Sequence, residues 1–174
     1  SAPEYGAAIK IAGSYQNNDN TIDNVQIVKA KSGIKIFALS GTYNSNINIC
    51  NCKIGNESEY NIEKYGIYIY RCKNINISNN RIFGIYGSNI CGILINSAIT
   101  SSTHIIANNI ISNLKSNDID KYVNGINLTS AKNSTIQYMI YNNMISSLFI
   151  DYPPLQPTSY LQQSGYEMII QLVR

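Results

Sequence analysis

Through residues 66–78, "GIYIYRCKNINIS", isoleucine recurs at alternate positions in two short runs, after which two asparagines interrupt the rhythm. Alternation of period two puts successive side chains on opposite faces of a strand, so the isoleucines face a core and the residues between them face solvent. The opening phrase returns as Gly33-Ile34-Lys35-Ile36, Gly66-Ile67-Tyr68-Ile69, Gly92-Ile93-Leu94-Ile95 and Gly125-Ile126-Asn127-Leu128, with a weaker first copy at Ala8-Ile9-Lys10-Ile11. Each phrase leads to a second one that ends in a corner. Ile75-Asn76-Ile77-Ser78-Asn79-Asn80 matches His104-Ile105-Ile106-Ala107-Asn108-Asn109 and Tyr138-Met139-Ile140-Tyr141-Asn142-Asn143, and the earlier copy at Ile47 carries Cys52 where the others carry the second Asn. A third short apolar piece follows, anchored at Ile54, Ile82, Ile111 and Ile145.

Copies are 25, 33, 26 and 33 residues apart, the range in which stacked repeats are expected. Each repeat holds three short strands, none able to bury its apolar face alone. Stacking the repeats gives each strand a partner above and below at about 4.8 Å and aligns identical side chains into ladders. The corner asparagines are expected to hydrogen-bond along such a ladder, because Asn tolerates left-handed turns and carries both a donor and an acceptor. The 33-residue steps contain an added polar loop, "GNESEYNIEKY" at 55–65 and "LKSNDIDKYV" at 114–123. These two loops are expected to project from one edge of the stack, two coils or about 10 Å apart.

Composition agrees with the pattern. Isoleucine supplies 32 of 174 residues and asparagine 25, a strand former and a corner former. The net charge of +3 comes without any Lys/Arg run, which leaves nucleic-acid binding no electrostatic footprint, and no apolar run approaches a membrane span. The start, "SAPEYGAAIK", reads as a processed or truncated N-terminus. Cys50, Cys52, Cys72 and Cys91 fit no zinc spacing; buried free thiols are the expectation, with one disulfide as the alternative.

The phrase G-I-x-I followed by N-I-x-I-x-N-N resembles the right-handed parallel β-helix family, the single-stranded solenoid of pectate lyases, polygalacturonases and phage tailspikes. The resemblance covers residues 8–150. It implies an all-β, right-handed parallel β-helix of about five coils over residues 1–150, followed by a non-repeat capping or linking segment at 151–174. Three of the four prolines lie in that segment, and "YEMIIQLVR" after them is either a final strand or a covering piece.

In β-helix enzymes that act on polysaccharides, the cleft lies over the first sheet and its neighbouring loops, so the outward positions of the Gly-Ile phrases are where the resemblance directs attention. They are Lys10 and Ala12, Lys35 and Phe37, Tyr68 and Tyr70, Leu94 and Asn96, then Asn127 and Thr129. Lys10, Lys35, Phe37, Tyr68 and Tyr70 form the candidate carbohydrate-binding set, with aromatic rings for sugar faces and lysines for acidic groups. The blander reading is that exposed strand positions favour aromatic residues in any case.

No carboxylate stands among these outward positions. The acid and base pair of a glycoside hydrolase and the calcium and arginine of a pectate lyase therefore have no counterparts, and no catalytic residue is assigned. An elimination using Lys10 or Lys35 with Tyr68 as acid or base is the enzymatic alternative. Glu57, Glu59, Glu63, Asp118 and Asp120 in the two loops offer calcium a weak site, but Lys64, Lys115 and Lys121 among them favour a solvated face. His104 aligns with inward Ile75 and is expected in the core.

Three functional readings follow. The first is a non-catalytic extracellular or cell-surface module that recognises a polysaccharide or surface glycan. The second is a polysaccharide lyase, hydrolase or epimerase. The third is a structural subunit that self-associates through the solenoid ends, since the N-terminal end shows no amphipathic capping helix.

Overall fold

The computed structural model describes residues 6–13, 16–39, 41–97, 101–118, 121–130, 135–150 and 170–173. The chain coils. Its first coil holds β1 (Ala7–Gly13), β2 (Thr21–Asp23) and β3 (Gln26–Ile27), and its second β4 (Ala30–Ala38), β5 (Asn44–Cys50) and β6 (Lys53–Ile54). The third holds β7 (Ile62–Tyr70), β8 (Cys72–Ser78) and β9 (Arg81–Gly87). The fourth holds β10 (Ile90–Ser97), β11 (Ser101–Ala107) and β12 (Ile110–Ser116). The fifth begins with β13 (Val123–Ser130) and β14 (Thr135–Tyr141), and its third side is split into β15 (Met144–Ile145) and β16 (Leu148–Ile150). Last comes β17 (Ile170–Val173).

Every pairing between these strands is parallel, and all but one join one coil to the next. The first ladder runs β1-β4-β7-β10-β13-β17, the second β2-β5-β8-β11-β14, and the third β3-β6-β9-β12 and then β15 and β16. A pairing of Ile62 with Ile85 links the first and third ladders into one twelve-stranded sheet, while the second stands as a five-stranded sheet. The molecule is thus an all-β solenoid of about four turns, without a helix among the described residues.

Register follows the sequence repeats. Ile9, Ile34, Ile67, Ile93 and Ile126 stack in one column, and Ile11, Ile36, Ile69, Ile95 and Leu128 in the next. From the second coil onward these side chains are essentially inaccessible. Burying one isoleucine is worth about 1.5–3 kcal/mol, so these columns are a substantial part of the driving force for folding. β17 adds to β13 with Ile170 beside Ile126 and Leu172 beside Leu128, so the final-strand reading of the tail holds; residues 151–169 lie outside those described.

The glycine that opens each phrase has a packing reason. A Cβ on Gly33, Gly66 or Gly92 would come within 2.7 Å of the carbonyl oxygen of the next glycine in the column and would strike Ile54, Ile82 or Ile111 of the third ladder. Only glycine lets the first ladder pass so close to the third.

The corners between the second and third ladders are built from asparagine pairs. Asn51, Asn79, Asn108 and Asn142 take positive φ of 53–58°, the left-handed region that Asn tolerates best among side-chain-bearing residues. The residue after each points inward. Asn80 Nδ2 donates to Asn109 Oδ1 at 3.0 Å and Asn109 Nδ2 to Asn143 Oδ1 at 2.9 Å, while each amide also donates to a carbonyl of the preceding coil. Cys52 heads this ladder, giving its N–H to Asn80 Oδ1 and its thiol to the Cys50 carbonyl. All four cysteines are free, three of them buried.

The 55–61 loop lies flat on the third ladder. Asn113 Nδ2 donates to the Glu57 carbonyl at 3.1 Å, Asn61 N–H donates to the Gly84 carbonyl, and Glu57 pairs with Arg81 at 3.2 Å. Gly84, at φ +59°, accepts the loop because a Cβ there would collide with the carbonyls of Asn56 and Glu59. Backbone contact with β9, which the polar composition of the loop did not announce, replaces the projection expected from the sequence.

Candidate functional site

The outer face of the first ladder collects the candidate side chains into two adjoining columns. One column reads Lys10, Lys35, Tyr68, Leu94, Asn127; the other reads Ala12, Phe37, Tyr70, Asn96, Thr129. Strands β1, β4 and β7 set the spacing, so neighbouring members are held about 4.8 Å apart by the backbone pairing itself. All five candidates therefore fall on one continuous strip across three coils.

Cations and rings interlock along it. Lys35 Nζ lies 5.3 Å from both the Phe37 and Tyr68 ring centroids, and Lys10 Nζ lies 5.5 Å from Phe37. Each contact is of the cation–π kind, worth about 0.5–1 kcal/mol at an exposed site. Together they set the ammonium groups against half-buried rings along the strip.

The structure adds Tyr65 and Lys64, which the sequence reading placed only in a polar loop. Tyr65 stacks on Tyr68 with centroids 5.2 Å apart and planes 21° from parallel, and Lys64 Nζ lies 5.2 Å from the Tyr65 centroid. Their signal was the position of Tyr65 directly before Gly66, in register with Ser32 and Cys91. Burial pushes the Tyr65 phenol up to about 12, with smaller contributions from Tyr122 and Tyr68, and burial followed by Tyr70 also raises Tyr68. Both remain neutral hydrogen-bond donors near neutral pH, which is the opposite of what a general base needs.

At the end of the strip where β1, β4 and β7 begin, a pocket of about 270 Å³ is lined by Gly6, Ala7, Lys31, Ser32, Lys35, Lys64 and Tyr65. Three of these are lysines. No carboxylate is among the described residues that line it.

The other candidates separate. In the acidic loops, Glu57 is taken by Arg81, Glu59 accepts from Asn61 and Asp118 accepts from Ser88; Asp120 lies outside the described residues. Among the described residues no three His, Cys, Asp or Glu side chains converge as a metal site. His104 is fully buried, its ring 5.2 Å from that of Tyr138, far from the outer strip in the second ladder. Burial raises the thiols of Cys52, Cys72 and Cys91, which suits structural rather than reactive cysteines. Among the described residues no helix is long and apolar enough to cross a membrane.

No family model, curated protein or solved structure matches the chain. The functional argument therefore rests on the strip itself, since a solenoid scaffold serves many unrelated activities.

Proposed function

We propose that the outer face of the first ladder binds carbohydrate, and that the protein is a non-catalytic recognition module working at the cell surface or outside the cell. The observation that carries this reading is the register-locked strip of Lys10, Lys35, Phe37, Tyr68 and Tyr70, with its cation–π contacts. Half-buried rings on a rigid sheet present their remaining apolar area to the faces of sugar rings at low entropic cost. Asn96 and Thr129 continue the second column with groups that hydrogen-bond hydroxyls. A linear chain laid along the solenoid axis meets a new pair of outward side chains at each coil.

The enzymatic alternative is the weaker one. Burial raises Tyr68 rather than lowering it, and no carboxylate stands among the outward positions of the strip. The deciding experiment is a glycan array with the full chain and with the double variant Tyr68→Ala, Tyr70→Ala. Loss of binding by at least about tenfold is expected, the worth of two lost ring contacts. Unchanged binding rejects this face as the site, and new absorbance from unsaturated sugar products rejects the non-catalytic assignment.

A further inference from the structure

We infer that the pocket at the head of the strip takes a tetrahedral oxyanion, a sulfate or phosphate ester on the bound glycan. The glycan part of this statement rests on the carbohydrate reading above; the anion site stands on its own geometry. The pocket spans three rungs, because Ala7, Ser32 and Tyr65 are register partners on β1, β4 and β7. Lys31 and Lys35 line it from β4 and Lys64 from β7, so three lysines of two neighbouring strands border one small space.

The residue type discriminates between anions. A planar carboxylate is best matched by the two-pronged fork of arginine, and no arginine lines the pocket. Lysine is a compact point charge with three donors, free to approach from any direction. Several such charges arriving from different strands suit an anion whose oxygens point in different directions. A phosphate monoester also carries more charge than a carboxylate near neutral pH, about −1.5 to −2 against about −1, which strengthens its attraction to ammonium groups.

Lys35 and Lys64 also lie over ring faces, which leaves N–H donors on each for an oxygen acceptor. Ser32 and Tyr65, each with a neutral hydroxyl, line the pocket as well. A volume of about 270 Å³ is below that of a typical drug-sized ligand site, in keeping with one substituted sugar unit. Lys35 and Tyr65 belong to both the pocket and the aromatic strip, so an ester held here fixes the register of a chain lying along the coils.

The test uses NMR titration of the full chain with galactose 6-sulfate, glucose 6-phosphate and galacturonate at matched ionic strength, following Lys31, Lys64 and Tyr65. At least one ester is expected to bind about tenfold or more tighter than galacturonate, the worth of one extra charge-assisted hydrogen bond. Whichever ester binds tighter identifies the source of the oxyanion. The Lys31→Gln, Lys64→Gln variant is expected to lose this advantage, whereas Tyr68→Ala, Tyr70→Ala is expected to keep it. Equal affinity for galacturonate, or unchanged ester binding in the glutamine variant, overturns the inference. Should the glutamine variant fail to fold, Lys31→Arg, Lys64→Arg serves instead: it is expected to narrow the preference for ester over galacturonate, and an unaltered preference overturns the inference. Ester binding that persists while the tyrosine variant leaves glycan-array binding intact rejects the strip and spares the pocket.

Discussion

His104 occupies a column otherwise given to Ile47, Ile75 and Tyr138, sealed from solvent between coils. Its Nδ1 faces the Ile75 N–H and the Ser102 hydroxyl, each at 3.4 Å, so that nitrogen acts as an acceptor. A proton placed on Nδ1 would confront the Ile75 N–H, and burial lowers the imidazole from its ordinary 6.5 to about 4. The folded state therefore resists protonation that the unfolded state accepts below about 6.5. Stability from this group is fully present above that pH and falls as pH drops toward 4, by about 3 kcal/mol over the window. Urea midpoints at pH 7 and pH 5 should show the loss, and His104→Phe should remove most of it. A variant with the same pH slope as the parent would place the acid sensitivity elsewhere.

Asn109 illustrates what a repeated corner residue does. It donates to the Ile77 carbonyl and to Asn143, and accepts from the backbone and side chain of Asn80. Replacing it by leucine leaves buried donors and an acceptor unpaired, which costs about 1–3 kcal/mol for each group that finds no water. Asn109→Leu should therefore unfold at markedly lower denaturant than Asn142→Gly, whose positive φ glycine accommodates freely.

Among the elements, β4, β7 and β10 depend on the glycine column. A methyl at Gly92 would meet Ile111 at 2.5 Å and the Gly125 carbonyl at 2.7 Å, both fixed by packing. Gly92→Ala should cost about 2 kcal/mol through forced separation of the first and third ladders, read as a lowered thermal midpoint. Gly6→Ala, with no atom within 4 Å of the added carbon, is the control expected to be neutral.

The same elements show how far the sequence could be read. Their inward isoleucines and the corner asparagines were evident because a period of two and a repeat near 30 residues leave few alternatives. The candidate strip was readable to the same extent, because residues that alternate with the core must face out. Tyr65, Lys31, Ser32 and Lys64 were not readable as a group: they lie outside the Gly-Ile phrase, and only pairing across rungs brings them together. The flat seat of the 55–61 loop was equally hidden, since it depends on carbonyls meeting Gly84 from a segment more than twenty residues earlier.

Across the whole molecule charge is spread thinly, so on the proposed reading an acidic polymer would draw its electrostatic attraction from Lys10, Lys35 and the pocket lysines. These groups are at or near the surface, and salt screens such charges over about 8 Å at physiological ionic strength. Affinity for a sulfated or phosphorylated polymer should fall steeply as salt is raised from about 0.05 to 0.5 M, while binding of a neutral polymer along the rings changes little. A salt-independent affinity for the charged polymer would mean that the lysines take no part.

The sequence by itself determined the coil. Alternating isoleucine can bury its side chains only by stacking on its own repeats, and asparagine can turn each corner and bond to its copies, so local chemistry and long-range order give the same answer. What only the tertiary structure decided is which side chains from successive coils meet. The distance from Lys31 to Lys64 along the chain exceeds thirty residues, whereas in the solenoid they lie one rung apart and close a pocket. The exposed face follows from alternation. The pocket follows from register, which the sum of all the ladders fixes at once.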